Sequence, residues 1–145
     1  MELDVLQKEH APDFKMVMAD GSIVSLKDYE GRVVYLSFWA SWCAPCIKGF
    51  EKYESLRKQL QAEGVVLLNI SIDEAPEKYR NALQQHVIVG INGQPMDITA
   101  TKLLYTLSSI PSYYIIDKNG FLAYLSDDAN RDILSEFKKL VSVSK

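Results

Sequence analysis

Two stretches of the chain are almost continuously apolar and rich in β-branched and aromatic side chains: VVYLSFW at residues 33–39 and VVLLNISI at residues 65–72. Such runs predict central strands covered on both faces. Between them Ile47, Phe50, Tyr53, Leu56 and Leu60 recur at helical spacing, which predicts a helix over 44–63 ended by Gly64. Strand, helix, strand makes a βαβ unit and implies a parallel pair.

The flanking pattern adds shorter elements. Residues 1–10 are polar and read as a lead-in, with the domain proper over 11–145. Phe14, Met16 and Met18 alternate with Lys15 and Val17 as in a strand, Asp20-Gly21 marks a hairpin turn, and residues 23–26 return as a second strand. Residues 77–86 read as a helix through Tyr79, Leu83 and His86, 87–91 as a strand, and Asn92-Gly93-Gln94-Pro95 as a loop. A helix over 98–107 would bury Leu103, Leu104 and Leu107. A strand at 113–116 is joined through the Asn119-Gly120 hairpin to 121–125. The last helix carries Ile133, Leu134, Phe137, Leu140 and Val141 on one face. Asp127 and Asp128 near its start, and Lys138 and Lys139 near its end, complement its dipole. The pattern contains no repeat, low-complexity tract or linker. The class is α/β.

Composition narrows the functions. A chain of 145 residues suits one domain with a single core. A net charge of −3 gives no support to a nucleic-acid or anionic-membrane partner. No apolar run approaches the roughly 18 residues of a membrane span. The opening MELDVLQKEH lacks the basic-then-apolar layout of a signal peptide. Either the protein is cytosolic, or it is a mature or excised domain separated from its targeting segment.

The two cysteines, Cys43 and Cys46, cannot make a disulfide framework, and a bridge between them closes too small a loop to add much stability. A redox or metal role is the stronger reading. The pair sits where the first apolar strand turns into a helix. There unpaired N–H groups and the helix dipole favour an anion, and thiols so placed ionise at roughly 3.5–7.5 instead of about 8.5. A haem attachment motif is excluded because Ile47, not His, follows Cys46. Soft thiolates also suit Cu(I) or zinc, although four-ligand zinc would need more partners than His10 and His86 offer.

Trp42-Cys43-Ala44-Pro45-Cys46 after a strand resembles the thioredoxin-fold signature. The longer pattern, APDF, a DG hairpin, SLKDYEGRVVYLSFWASWCAPC, SIDEAPE and IPSYYIIDKNG, resembles the TlpA/ResA-like thiol–disulfide oxidoreductases over nearly the whole chain from Ala11. The resemblance implies a thioredoxin-like fold: a mixed central sheet flanked by helices, with an N-terminal β-hairpin and a helix–strand insertion at 74–93. It implies dithiol–disulfide exchange, most simply as a reductase. Cys43 would attack a substrate disulfide, and Cys46, one turn later and more buried, would resolve the mixed disulfide. Ala44 and Pro45 would tune the pair. Trp42 would stand partly exposed beside the sulfurs while Trp39 lies in the core. Pro111 matches the family's cis-proline, which would hold the Ile110 backbone for pairing with substrate. Ser112 departs from the threonine of many relatives.

Proton transfer departs further. Ser37 occupies the place of the buried aspartate of thioredoxins. Glu74, just after the second central strand, matches the glutamate of ResA-like members and would relay a proton to or from Cys46 from a partly buried place, with Asp73 the alternative. Lys48 and His86 read as a surface residue and a helix-end residue, and Tyr113 or Tyr114 would line the substrate groove. Peroxidase chemistry is disfavoured because Ala40 stands where peroxiredoxins carry a threonine. No metal or organic cofactor is expected beyond the Cys43–Cys46 disulfide itself. Expected partners are protein disulfides or dithiols and an upstream redox protein, with a membrane only through a tether absent from this chain. The compartment implied is extracytoplasmic, periplasmic in kind. A Cu(I)-handling module and a non-catalytic binding domain of a larger protein are the competing functions.

Overall fold

A computed structural model describes residues 9–124 and 132–143. In chain order these hold β1 (Lys15–Met18), β2 (Ile23–Ser25), a 3-10 turn (Leu26–Tyr29), β3 (Val34–Trp39), α1 (Ala44–Lys52), α2 (Glu54–Ala62), β4 (Val66–Ser71), α3 (Pro76–Gln85), β5 (Ile91–Pro95), α4 (Ile98–Leu104), β6 (Ser112–Ile116), β7 (Leu122–Ala123) and α5 (Ile133–Ser142). The strands form one mixed sheet in the order β2-β1-β5-β4-β3-β6-β7. β3, β4 and β5 run parallel, and the outer pairings are antiparallel.

The two apolar runs are the central strands. On one face Val33, Val65, Leu67 and Ile115 pack with Leu60 of α2 and Phe137 of α5. On the other, Leu36, Phe38, Leu68 and Ile70 pack with Phe14 and Met16 of the hairpin arm and with Tyr105. β1 alternates as expected, with Met16 and Met18 turned inward. The Asp20-Gly21 turn is fixed by Asp20 Oδ1, which accepts from Ser22 N–H at 2.9 Å.

Four expectations need correction. The helix over 44–63 is two helices. Tyr53 leaves helical geometry, yet its N–H still donates to Gly49 O and its carbonyl accepts from Arg57 N–H, so one helix follows the other without a loop and the apolar spacing carries straight through. The segment 92–95 is not a loop but most of β5. Gly93 is there because a Cβ would stand 2.8 Å from Met18 Sδ and 2.9 Å from Val17 O, and Pro95 stands at the strand's end, where a missing donor is tolerated. The strand expected at 87–91 therefore begins only at Ile91, and Val87 is exposed. α4 ends at Leu104 and turns a different face inward: Thr101 and Tyr105 are buried, while Leu103 is 77% exposed and Leu104 51%. Polar bonds set that rotation. Asp97 caps the helix at Ala100 N–H, Thr101 Oγ1 donates to Asp97 O at 2.8 Å, and Tyr105 OH donates to Pro12 O at 2.6 Å.

The insertion has a clear architectural role. After α3, β5 lies between β1 and β4, parallel to β4 and antiparallel to β1, so it is the strand that joins the N-terminal hairpin to the central sheet. At the end of the lead-in, Glu9 O accepts from Leu122 N–H at 2.7 Å and the His10 ring stacks on Phe121. Residues 1–8, Asp127 and Asp128, and the end of the 121–125 strand lie outside the described residues. The cap of α5 is Asp132, whose Oδ1 accepts from Ser135 N–H at 3.2 Å.

Candidate active site

β3 delivers Trp39 into the core, where its ring meets Phe50 edge-on, and the chain then turns sharply into α1. Cys43 N–H donates to Ala40 O at 3.1 Å to close that turn. Cys43 is the N-cap of α1, and its Sγ accepts from Cys46 N–H at 3.3 Å. One of the helix's orphan donors is thus aimed at the sulfur, as an anion there requires. Pro45 falls within the first turn, where its missing N–H costs nothing. Cys43 and Cys46 are bridged, with Cα atoms 5.3 Å apart. Cys43 is 5% exposed and Cys46 1%, so the expected order of burial holds.

Across from the sulfurs, Ile110 O lies 3.8 Å from Cys43 Sγ, and the Ile110–Pro111 bond is cis. Trp42 is 67% exposed. It forms the ridge between two shallow depressions of about 390 and 310 Å3 that share Trp42, Ile72 and Lys102. One runs toward Leu107 and Ile110, the other toward Glu74 and Lys78. Cys43, Trp42, Ile110 and Pro111 therefore gather at one end of the parallel strands, as expected.

The acids are arranged differently. Glu74 is exposed, so it lacks the partly buried setting that the proton-relay reading required. The buried acid is Asp73, which accepts from Ser41 and Ser71. Ser37 is buried and its hydroxyl has no hydrogen-bond partner among the described residues. Tyr113 and Tyr114 both lie away from the depressions beside Trp42. Tyr113 lines a separate cavity with Tyr35, Tyr53 and Arg57, and Tyr114 joins the Phe38–Tyr105 aromatic cluster. Lys48 is exposed, and His86 at the end of α3 approaches Glu51 at 3.6 Å.

The sequence reading missed a polar stripe. Asn69, Ser71 and Asp73 alternate with Ile70 and Ile72 and are all buried. The two-residue period was visible in NISID, but the surrounding apolar run masked it.

Comparison with known proteins agrees with this geometry. The AhpC/TSA family profile matches residues 8–125, and the chain belongs to that family. It is similar to the thiol–disulfide oxidoreductase ResA of Bacillus thuringiensis, with 26% identity over 140 residues covering 92% of this chain and 78% of the relative. It is also similar to the thioredoxin-like protein YneN of Bacillus subtilis, with 30% identity over 128 residues covering 83% and 71%. Among solved structures, a thiol:disulfide interchange protein from a Bacteroides species superposes with a TM-score of 0.77 at 19% identity, covering 95% of this chain and 91% of that one. The thioredoxin domain of a thiol–disulfide oxidoreductase from Bacteroides vulgatus gives 0.74 at 21%, covering 79% and 83%. Both show the thioredoxin-like fold. With a bridged Cys-x-x-Cys pair at the start of α1, the chain is a thiol–disulfide oxidoreductase of this family.

Proposed function

We propose that the protein reduces disulfides in other proteins through Cys43 and Cys46. The observation that carries this reading is Cys43 Sγ at the N-cap, accepting from Cys46 N–H beside the exposed Trp42 and the Ile110 carbonyl. In the reduced protein Cys43, as thiolate, attacks one sulfur of the substrate disulfide. The substrate S–S bond breaks, its other sulfur leaves and takes a proton, and a mixed disulfide forms. Cys46 then loses its proton and attacks Cys43 Sγ. The second substrate thiol departs, and the two electrons given to the substrate leave Cys43–Cys46 oxidised. An upstream dithiol protein restores the pair by the reverse exchange.

Trp42, Ile110 and Pro111 form the surface for the substrate segment, and Ala44 and Pro45 shape the first turn of α1. Ala40 offers no hydroxyl for peroxide chemistry. The redox-active disulfide serves as the only cofactor. The similarity to ResA supports an extracytoplasmic compartment, and no helix among the described residues is long and apolar enough to cross a membrane.

Trapping tests this reading. Cys46→Ser should accumulate a mixed disulfide with a disulfide-bonded protein through Cys43, detected by mass spectrometry, and Cys43→Ser should reduce turnover to background. Turnover that survives Cys43→Ser, or no trapped species with Cys46→Ser, would overturn it.

A further inference from the structure

Asp73, two residues beyond β4, ends the polar stripe that begins on that strand and is 1% exposed. Its carboxylate meets three donors: Ser41 N–H at 2.9 Å, Ser41 O–H at 2.7 Å and Ser71 O–H at 2.6 Å. Its own N–H donates to Ser71 Oγ at 3.0 Å, and Gln94 of β5 donates to its carbonyl at 2.9 Å. An ionised carboxylate is an acceptor only. Ser41 lies inside the turn that Cys43 N–H closes onto Ala40 O.

We propose that Asp73 is a positioning residue for the exchange reaction. Through Ser41 its carboxylate fixes the turn at 40–43, and with it the place of Cys43 Sγ at the start of α1. The proposal rests on Cys43 as the attacking thiol. It also gives β5 a second task, because this strand, which carries the hairpin, reaches the cysteine turn through Gln94 and Asp73. Position matters because the helix terminus favours a thiolate only within its first turn. The charged groups around the Trp42 depressions are Asp73, Glu74, Lys78 and Lys102, and Asp73 alone of these is buried.

The test separates geometry from charge. Asp73→Asn and Asp73→Ala both remove the negative charge. The amide keeps an oxygen for Ser41 N–H, and the hydroxyls of Ser41 and Ser71 can turn to accept from its nitrogen. The measurements are the pH midpoint of Cys43 alkylation in the reduced full chain and the rate of exchange with a disulfide-bonded protein. Asp73→Asn should stay near the wild type. Asp73→Ala should move the midpoint to higher pH and slow exchange at neutral pH by roughly ten- to a hundredfold. Ser41→Ala removes one donor, leaves the charge in place, and should move the midpoint the same way by less. If Asp73→Ala does not fold, Ser41→Ala decides.

Asn and Ala variants that move together would assign the effect to charge and overturn the proposal. Loss of one limb of the pH profile in Asp73→Asn would make Asp73 a proton carrier and overturn it equally. So would an unmoved midpoint in both Asp73→Ala and Ser41→Ala. A wild-type chain that does not exchange through Cys43 would remove the functional reading itself, an outcome that the wild-type control exposes before any variant is compared.

Discussion

Two buried charges stand at opposite ends of one polar stripe, and among the described residues neither has an ion-pair partner. At one end Arg57 of α2, 4% exposed, donates to Asn69 Oδ1 and to Val89 O. Its guanidinium lies 5.1 Å from the Phe50 ring centre and 5.8 Å from that of Tyr35. At the other end Asp73 is held by two hydroxyls and a backbone N–H. Both charges are stabilised by neutral dipoles, as burial without a counter-ion demands. They differ in completeness. Among the described residues Arg57 Nε has no partner, and burial draws the guanidinium below its usual pKa. Asp73 has every donor it needs, and two of the three come from the turn before Cys43. An incompletely bonded cation cushioned by aromatic rings serves packing between α2 and the sheet. A fully bonded anion beneath the cysteine turn serves geometry.

That contrast is most exposed to failure at Asn69. Asn69→Ala leaves the guanidinium buried with Val89 O as its remaining acceptor, so unfolding free energy should fall by about 3–5 kcal/mol. Arg57→Met keeps apolar contact with Tyr35 and Phe50, removes the charge, and leaves Asn69 Nδ2 donating to Val89 O at 3.0 Å. It should cost less, about 1–3 kcal/mol for the lost charged bond. Denaturant unfolding at neutral pH measures both. Exchange by the folded protein should change little in either, since no hydrogen bond of Arg57 reaches the cysteine turn. The reverse order of cost would show that Asn69 does not hold the cation. Slowed exchange in Arg57→Met would dissolve the division between packing and geometry.

The parts of this arrangement that could be read in the sequence share a physical reason. β3 and β4 are buried on both faces, so their apolar runs are long. The cysteine pair and both hairpin turns carry local signatures that owe nothing to distant contacts, whereas the cis state of Pro111 was implied by the family resemblance alone. What could not be read depends on tertiary fit. β5 contains Asn92, Gly93 and Pro95, each a poor strand former, and is a strand because Gly93 alone fits against Met18. Leu103 and Leu104 point outward because the capping of α4 and the bond from Tyr105 to Pro12 set its rotation ahead of its hydrophobicity. Glu74 and Asp73 are neighbours in a strand-end segment, so a one-residue difference put the buried acid in the second place of the sequence reading.

A third buried polar group extends this contrast to the unbonded case among the described residues. Tyr79 of α3 packs near the Trp39 ring and is 6% exposed, and among the described residues its hydroxyl meets no acceptor or donor. Burial pushes its phenol up to about 12 from the usual 10.0. The folded protein therefore keeps this proton while the unfolded chain releases it, and between these two values the unfolded state binds fewer protons. Stability contributed by neutral Tyr79 is complete below pH 10 and is lost as pH rises toward about 12. Tyr79→Phe deletes both the orphan hydroxyl and this titration. At neutral pH it should be neutral or stabilising by up to about 1 kcal/mol, and its advantage over the wild type should widen above pH 10. Denaturant midpoints of the two proteins at neutral and alkaline pH measure the difference, and comparing variants cancels the other buried tyrosines. Destabilisation at neutral pH would mean that the hydroxyl has a bonding partner, a bridging water included. Tyr79 would then join Asp73 as a satisfied group.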